Sequence, residues 1–150
     1  MIRYISLIGF VTLVLGGGLL IGALNTPGVW HEELVKPGFN PPNWVFGPVW
    51  TILYIMIGFA GWRIWLQQPK STDMIIWWVQ LGLNFLWSPV FFTAHRIDLA
   101  LTIIVLLLLC IVLLFARSLN TDRWVALLLL PYVAWVSFAA ALNGAIFMLN

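Results

Sequence analysis

The sequence predicts an all-α membrane protein, a five-transmembrane-helix bundle with a long loop between helices 1 and 2. Three observations lead to this fold class. Of the 150 residues, 63% are hydrophobic and only 8% are charged, whereas a soluble domain carries about 25% charged residues. Five stretches are apolar over the length of about 20 residues that a helix needs to cross a bilayer. Most of these stretches are joined by short polar turns, which favour antiparallel neighbouring helices.

The five predicted spans make up a single domain and cover about residues 3–24, 45–66, 74–94, 98–117 and 124–148. The first span is longer than the roughly 7–15 apolar residues of a signal peptide, so we interpret it as a membrane helix. The last three connections are short, whereas the first covers residues 25–44 and contains Pro37, Pro41 and Pro42. These prolines stiffen the loop, and a loop of this length is usually functional or disordered. We therefore expect it to act as a lid over the bundle.

Basic residues predict the orientation, because they are enriched in cytoplasmic connections. Two of them, Lys36 and Arg96, fall on the side of the long loop, and five fall on the opposite side: Arg3, Arg63, Lys70, Arg117 and Arg123. This bias predicts the N-terminus inside, with loop 1 and the C-terminus outside. Pro89 and Pro131 lie within the third and fifth spans and predict local kinks there.

The composition argues against several functional classes. A formal charge of +2 without any basic run does not favour nucleic-acid binding. All five acidic residues lie in connections, so the spans offer no buried carboxylate for a proton relay or for acid–base catalysis. The single cysteine, Cys110, cannot form an internal disulfide. His31 and His95 have no neighbouring metal-ligand candidates, so we expect no metal site and no required cofactor.

Aromatic and amide side chains recur at helical spacing in three spans and predict a cavity. Most of the tryptophans lie near span ends, where indoles anchor proteins at the membrane interface; these are Trp44, Trp62, Trp65, Trp77, Trp78 and Trp124. Trp50, Trp87 and Trp135 lie deeper, and Trp50 falls about 9 Å below the outer end of its span at about 1.5 Å per residue. Trp50 shares a helical face with Phe46 and Tyr54. Trp87 shares one with Gln80, Asn84 and Phe91, and Trp135 shares one with Ala139, Leu142 and Asn143.

These stripes support two interpretations. An apolar cavity with few polar groups is the expected site for a flat hydrophobic ligand. Aromatic stripes also arise from simple helix packing. Asn84 and Asn143 favour the cavity, because an amide in hydrocarbon is costly without a partner, although the amides could instead tie helices together.

Several motifs resemble the TspO/MBR family, the tryptophan-rich sensory proteins and translocator proteins, also known as peripheral benzodiazepine receptors. The resemblance covers nearly the whole chain. It begins in the loop with Trp30, Leu34, Lys36-Pro37 and Asn40-Pro41-Pro42-x-Trp44, and continues with Trp50-x-x-Leu53-Tyr54. The third span adds Gln80-Leu81-x-x-Asn84-x-x-Trp87-Ser88-Pro89-x-Phe91-Phe92, and the fifth adds Pro131-Tyr132-x-x-Trp135 and Ala139-x-x-Leu142-Asn143.

The resemblance implies a five-helix bundle, often a homodimer, whose pocket under the first loop binds porphyrins and isoquinoline or benzodiazepine drugs. Carried over by position, the pocket residues are Trp50, Asn84, Trp87, Trp135, Ala139 and Leu142. The lid residues are Trp30, His31, Pro41, Pro42 and Trp44, with His31 standing where many members have tyrosine. Sterol-binding members often end in a Leu/Val-x-Tyr-x-Lys/Arg pattern. Here the end reads LNGAIFMLN, which weakens the expectation of sterol binding.

Four functions remain open at this point. The first is a membrane protein that binds porphyrin, either protoporphyrin IX or a haem-like tetrapyrrole, as sensor, carrier or scavenger. The second is light- and oxygen-dependent porphyrin degradation, which the resemblance assigns to Trp50 and Trp135 and which needs no conventional catalytic residues. The third is small-molecule transport, and the fourth is a structural subunit without a ligand. A bacterial cell envelope is the expected location, although a mitochondrial outer membrane fits the same hydropathy.

Overall fold

The computed structural model describes residues 2–150, and five of its helices are long and apolar enough to cross a membrane, which confirms the predicted fold class. The first is α1 (Ile2–Leu24), and the second is α3 (Phe46–Gln67), which a 3-10 turn (Asn43–Val45) precedes. The third is α4 (Thr72–Ser88), which continues through a π-helical turn (Pro89–Thr93). The last two are α5 (Ile97–Thr121) and α6 (Arg123–Leu149).

The five long helices form a closed ring. Along this ring α1 packs on α3, α3 on α6, α6 on α5 and α5 on α4, and α4 returns to α1. The core inside the ring consists of fully buried aliphatic and aromatic side chains, among them Ile57, Leu107, Ile111, Leu129 and Val136. Large apolar residues such as Ile52 and Leu109 are more than half exposed on the outside, as a surface in contact with lipid requires.

Glycines determine how closely the helices approach. A Cβ atom on Gly58 would lie 2.8 Å from the backbone Cα of Val11, so α1 and α3 cross there in direct backbone contact. A Cβ on Gly18 would overlap the ring of Tyr54. Gly22 has open space where its Cβ would be. Gly18 therefore allows close packing against α3, whereas Gly22, one turn farther along α1, leaves open space.

Two tryptophans that the sequence assigns to the membrane interface lie in the core instead. Trp77 is fully buried, and its indole N–H donates to the carbonyl of Ile57 at 3.0 Å. Gly61 makes room for it, because a Cβ there would lie 2.2 Å from the indole ring. Trp62 is 6% exposed and donates to the carbonyl of Arg3. The anchor prediction is wrong for this pair because a glycine on α3 and the N-terminal turn of α1 supply space and a hydrogen-bond acceptor.

The connections are shorter and more ordered than the sequence suggests. The connection predicted for residues 118–123 consists of the single residue Asp122. Its side chain caps α6 by accepting from the backbone N–H of Trp124. Partial burial opposes ionisation of Asp122, but the hydrogen bond from Arg63 holds its pKa below the ordinary value. The predicted lid loop contains the short helix α2 (Val29–Glu33). A five-residue helix is too short to produce a hydrophobic periodicity that a sequence could reveal.

Candidate functional site

A cavity of about 430 Å³ lies beneath the loop that joins α1 and α3, within the range of about 300–1,000 Å³ typical of small-molecule sites. Every long helix contributes to its wall. Residues from α1 are Gly18, Leu19, Ile21, Gly22 and Ala23, and those from the loop are Asn25, Pro27, His31, Asn40 and Asn43. Residues from α3 are Phe46, Gly47, Trp50 and Tyr54, and those from α4 with its π turn are Asn84, Trp87, Ser88, Phe91 and Phe92. Residues from α5 and α6 are Ile104, Leu107, Trp135, Ala139, Leu142, Asn143 and Ile146.

All six pocket residues that the resemblance implies line this one cavity, as do Phe46, Phe91 and Asn143 from the predicted stripes. Gln80, from the same stripes, does not line it. The cavity lining thus includes Phe46, Trp50, Asn84, Trp87, Phe91, Trp135, Ala139, Leu142 and Asn143. Ligand binding by these residues stays a prediction at this point. The lining contains no Asp, Glu, Lys or Arg among the residues that the structure describes, so the wall is uncharged apart from the titratable His31 and Tyr54.

Of the five predicted lid residues, only His31 lines the cavity. Trp30 turns away from it, stacking on His95 at 4.2 Å between ring centroids and meeting Phe91 edge-on at 5.8 Å. Trp44 is 75% exposed. Pro41 and Pro42 lie between the lining residues Asn40 and Asn43 but outside the lining itself. Three amide side chains, one proline and one imidazole of the loop line the cavity instead.

Aromatic pairs form the walls. Trp50 stacks on Tyr54 at 5.3 Å, and Trp87 stacks on Phe91 at 5.0 Å. Trp135 meets Phe46 edge-on at 5.7 Å. These arrangements lie within the 4.5–7 Å range that aromatic rings prefer. The three deep indoles are therefore held by neighbouring rings around one open space.

Hydrogen bonds fix the orientation of the Asn84 and Asn143 side chains. The Asn84 amide donates to the Tyr132 hydroxyl at 2.8 Å, and that hydroxyl donates to the Gln80 carbonyl oxygen at 2.8 Å. The Trp87 indole donates to the side-chain oxygen of Asn143 at 3.1 Å. The amides thus tie helices together and also face the cavity, so both interpretations of Asn84 and Asn143 hold.

Two polar atoms of the lining have no partner. The indole Nε1 of Trp135 and the imidazole Nδ1 of His31 are buried and make no hydrogen bond within residues 2–150. A buried polar group without a partner costs about 1–3 kcal/mol. Both residues line the cavity, but these two nitrogens are themselves buried and are unsatisfied within the described protein.

Two sets of contacts fasten the lid to the bundle, and a third orders the lid itself. The Asn150 side chain accepts from the backbone N–H of Val35 at 3.0 Å and donates to its carbonyl at 2.9 Å. The Lys36 ammonium donates to the backbone carbonyls of His31, Glu32 and Leu34 and so caps the C-terminus of α2. At the start of the loop, the hydroxyl of Thr93 donates to Asn25.

An apolar groove on the outside of the bundle shares one wall with the cavity. Its residues belong to α3 and α6 and are Val49, Ile52, Leu53, Met56, Pro131, Ala134 and Trp135. Trp135 lines both spaces. Its indole is therefore the partition between the cavity and the lipid-facing surface on this side.

Sequence analysis missed the contributions of α1 and α5 and the side chain of Phe92. Periodicity cannot show which helices face each other, so the apolar run of α5 carries no sign of Ile104 or Leu107 as lining. On α1, small residues such as Gly22 predict close helix packing first and room for a ligand only second. Phe92 lines the cavity beside Phe91 because the π turn places an extra residue in the helix. Pro89 indicates a disturbed helix at this point, because it lacks the N–H that a regular helical turn needs. It does not show that the turn is π-helical.

Comparisons with known proteins agree with this architecture. Residues 10–149 match the TspO/MBR family. The chain is 41% identical over 129 residues to tryptophan-rich protein TspO of Chlorobaculum tepidum, covering 83% of this chain and 82% of that protein. It is 35% identical to protein CrtK of Rhodobacter capsulatus (86% and 83%) and 33% identical to the human translocator protein (81% and 75%). The chain therefore belongs to the TspO/MBR family of integral membrane proteins.

Proposed function

We propose that this protein binds tetrapyrroles and related flat hydrophobic ligands in the cavity beneath loop 1, and acts as a sensor, carrier or scavenger for them. The observation that carries the proposal is the composition of the wall. Three indoles, from Trp50, Trp87 and Trp135, line one uncharged cavity together with the amides of the spans and of the loop. A flat macrocycle with a largely apolar face and a few polar edge groups matches such a wall.

The indoles would contribute through stacking. An aromatic pair contributes about 0.5–1.5 kcal/mol beyond the burial of its area. Asn84 and Asn143 would orient polar groups at the edge of the ring, since their side chains are already held by Tyr132 and Trp87. A wall arranged in advance loses little conformational entropy when the ligand arrives, which favours binding.

Porphyrin titration of single-tryptophan variants tests the proposal. We expect Trp50→Ala and Trp135→Ala each to weaken protoporphyrin IX binding by roughly two- to tenfold, the factor that corresponds to one lost stacking contact. The measurement is the change in porphyrin absorbance on titration into purified protein in detergent, which does not depend on the number of tryptophans.

Trp124→Ala is the matched control, because Trp124 is 65% exposed at the start of α6 and lies outside the cavity lining. We expect the control to bind porphyrin like the unchanged protein. Equal affinity in all three variants would count against the assignment of the cavity as the binding site.

A further inference from the structure

His31 is the one imidazole in the roof of the cavity, and its environment is unusual for a histidine. The residue is 8% exposed, and its Nδ1 atom has no partner within the described chain. The ring meets Phe92 edge-on at 5.3 Å and Phe91 at 6.1 Å. Phenylalanine could make the same aromatic contacts and would leave no buried polar atom without a hydrogen bond. Packing alone therefore does not explain a histidine at this position.

The imidazole is available as a lone-pair donor. Burial, followed by the positive charge of Lys36, lowers the pKa of His31 from its ordinary value, and Glu32 opposes this only in part. Burial and Lys36 thus both favour the neutral form of the ring. Neutral imidazole is a common protein ligand for transition metals and the proximal ligand of haem iron in globins and peroxidases.

We propose that His31 is an axial ligand for the iron of a metallated tetrapyrrole bound in this cavity, so that the site favours an iron porphyrin over the same ring without metal. The inference rests on the proposed function and adds the ligand's metal and the residue that recognises it. The iron arrives with the porphyrin. This origin is consistent with the absence, among residues 2–150, of any cluster of three or more His, Cys, Asp or Glu side chains able to hold a metal ion.

The roof holds the imidazole in place before any ligand binds. The Lys36 ammonium caps α2 at the carbonyl of His31 itself. The preceding residue, Trp30, stacks on His95. Farther along the loop, the Asn150 side chain hydrogen-bonds to both backbone groups of Val35. A ligand that binds under this roof meets the imidazole without first ordering the lid, and a prearranged donor of this kind lowers the cost of binding.

The lining offers no second imidazole, thiolate or thioether within the part of the chain that the structure describes. A single histidine ligand predicts a high-spin iron centre, five-coordinate in the ferrous state. Ligating histidines usually donate their second N–H to an acceptor, which strengthens the bond to the metal. The iron would bind Nε2 of His31, because Nδ1 is itself buried within the protein. The N–H on Nδ1 would then have no acceptor, so we expect a weak iron–histidine bond.

Resonance Raman spectroscopy and titration of His31→Phe test the assignment, because phenylalanine keeps the aromatic contacts and removes the ligand. We expect the unchanged protein with ferrous haem to show an iron–histidine stretching band that His31→Phe lacks. We expect the variant to bind ferric haem at least roughly tenfold more weakly, a loss of about 1.4 kcal/mol or more. Its affinity for metal-free protoporphyrin IX should be that of the unchanged protein.

His95→Phe is the matched control, since it removes the other histidine of the chain and keeps a ring to stack on Trp30. It should retain the iron–histidine band. Added imidazole should restore the band in His31→Ala, which separates lost ligation from altered folding. A band that persists in His31→Phe, a tyrosinate spectrum from Tyr54, or an equal loss of affinity for haem and metal-free porphyrin would overturn the assignment.

The outcomes also separate this inference from the proposed function. If the unchanged protein binds metal-free porphyrin while haem shows no iron–histidine band, the proposed function stands and the role of His31 falls. If neither ring binds, the proposed function itself falls.

Discussion

At the scale of single residues, Tyr132 is the junction of the polar network inside the bundle. It is fully buried on α6, and its hydroxyl accepts from Asn84 and donates to Gln80, both on α4. Gln80 is also fully buried, and its side-chain nitrogen has no partner within the described residues. The network therefore links α4 to α6 across the interior of the bundle, next to the cavity wall at Asn84, with little capacity to lose another hydrogen bond.

Removing the Tyr132 hydroxyl should destabilise the fold. In Tyr132→Phe the Asn84 amide loses its acceptor and the Gln80 carbonyl loses its donor. We expect the free energy of unfolding to fall by about 1–3 kcal/mol, the usual cost of leaving a buried polar group unpaired. Thermal or denaturant unfolding in detergent measures the change.

Tyr4→Phe is the control for this substitution, because Tyr4 is 70% exposed on α1. We expect its unfolding to match that of the unchanged protein. Equal stability of Tyr132→Phe and Tyr4→Phe would show that the buried hydroxyl contributes nothing to the stability of the bundle.

At the scale of elements, hydropathy predicts the five long helices because each apolar run must hydrogen-bond its own backbone inside the bilayer. It also predicts the cavity-facing stripes of α3, α4 and α6, since residues spaced by three and four share a helical face. The sequence does not reveal the π turn at Pro89, the helix α2 or the inward position of Trp77. The position of Trp77 depends on a contact between distant segments, since Gly61 leaves the space for its indole, whereas α2 is too short to produce a periodicity.

Helix α2 depends on one ammonium group for its C-terminal cap. We expect Lys36→Met to loosen the lid, because the carbonyls of His31, Glu32 and Leu34 lose their shared donor. The contact is partly exposed, and surface contacts of a charged group contribute up to about 1 kcal/mol, so porphyrin release should accelerate by roughly two- to fivefold. Stopped-flow displacement measures the release rate, and amide hydrogen exchange over residues 29–35 should increase in parallel.

The other lysine provides the control. Lys70 lies in the exposed connection between α3 and α4, at the end of the bundle away from the lid. Lys70→Met removes the same charge without touching α2 and should release porphyrin at the original rate. A release rate in Lys36→Met that matches the control would mean that α2 does not gate the cavity.

At the scale of the whole molecule, the five-helix ring is closed everywhere by packing except at the cavity. The end opposite the lid is tied by ion pairs, with Arg63 bound to Asp122 at 2.8 Å and Arg117 bound to Asp73. The lid end instead encloses an uncharged space. The bias of basic residues predicts that the lid end faces outside; this orientation and the homodimer implied by the family stay predictions.

Filling the cavity is the most direct test of the claim that this space is the ligand site. Ala139 and Ala134 lie on the same helix, but Ala139 lines the cavity whereas Ala134 lines the outer groove. Porphyrin affinity should therefore be measured by absorbance titration of Ala139→Phe and Ala134→Phe. We expect Ala139→Phe to bind at least roughly fivefold more weakly, since overpacking costs about 1–3 kcal/mol, and Ala134→Phe to bind like the unchanged protein. Undiminished porphyrin affinity in a folded Ala139→Phe protein would contradict the account.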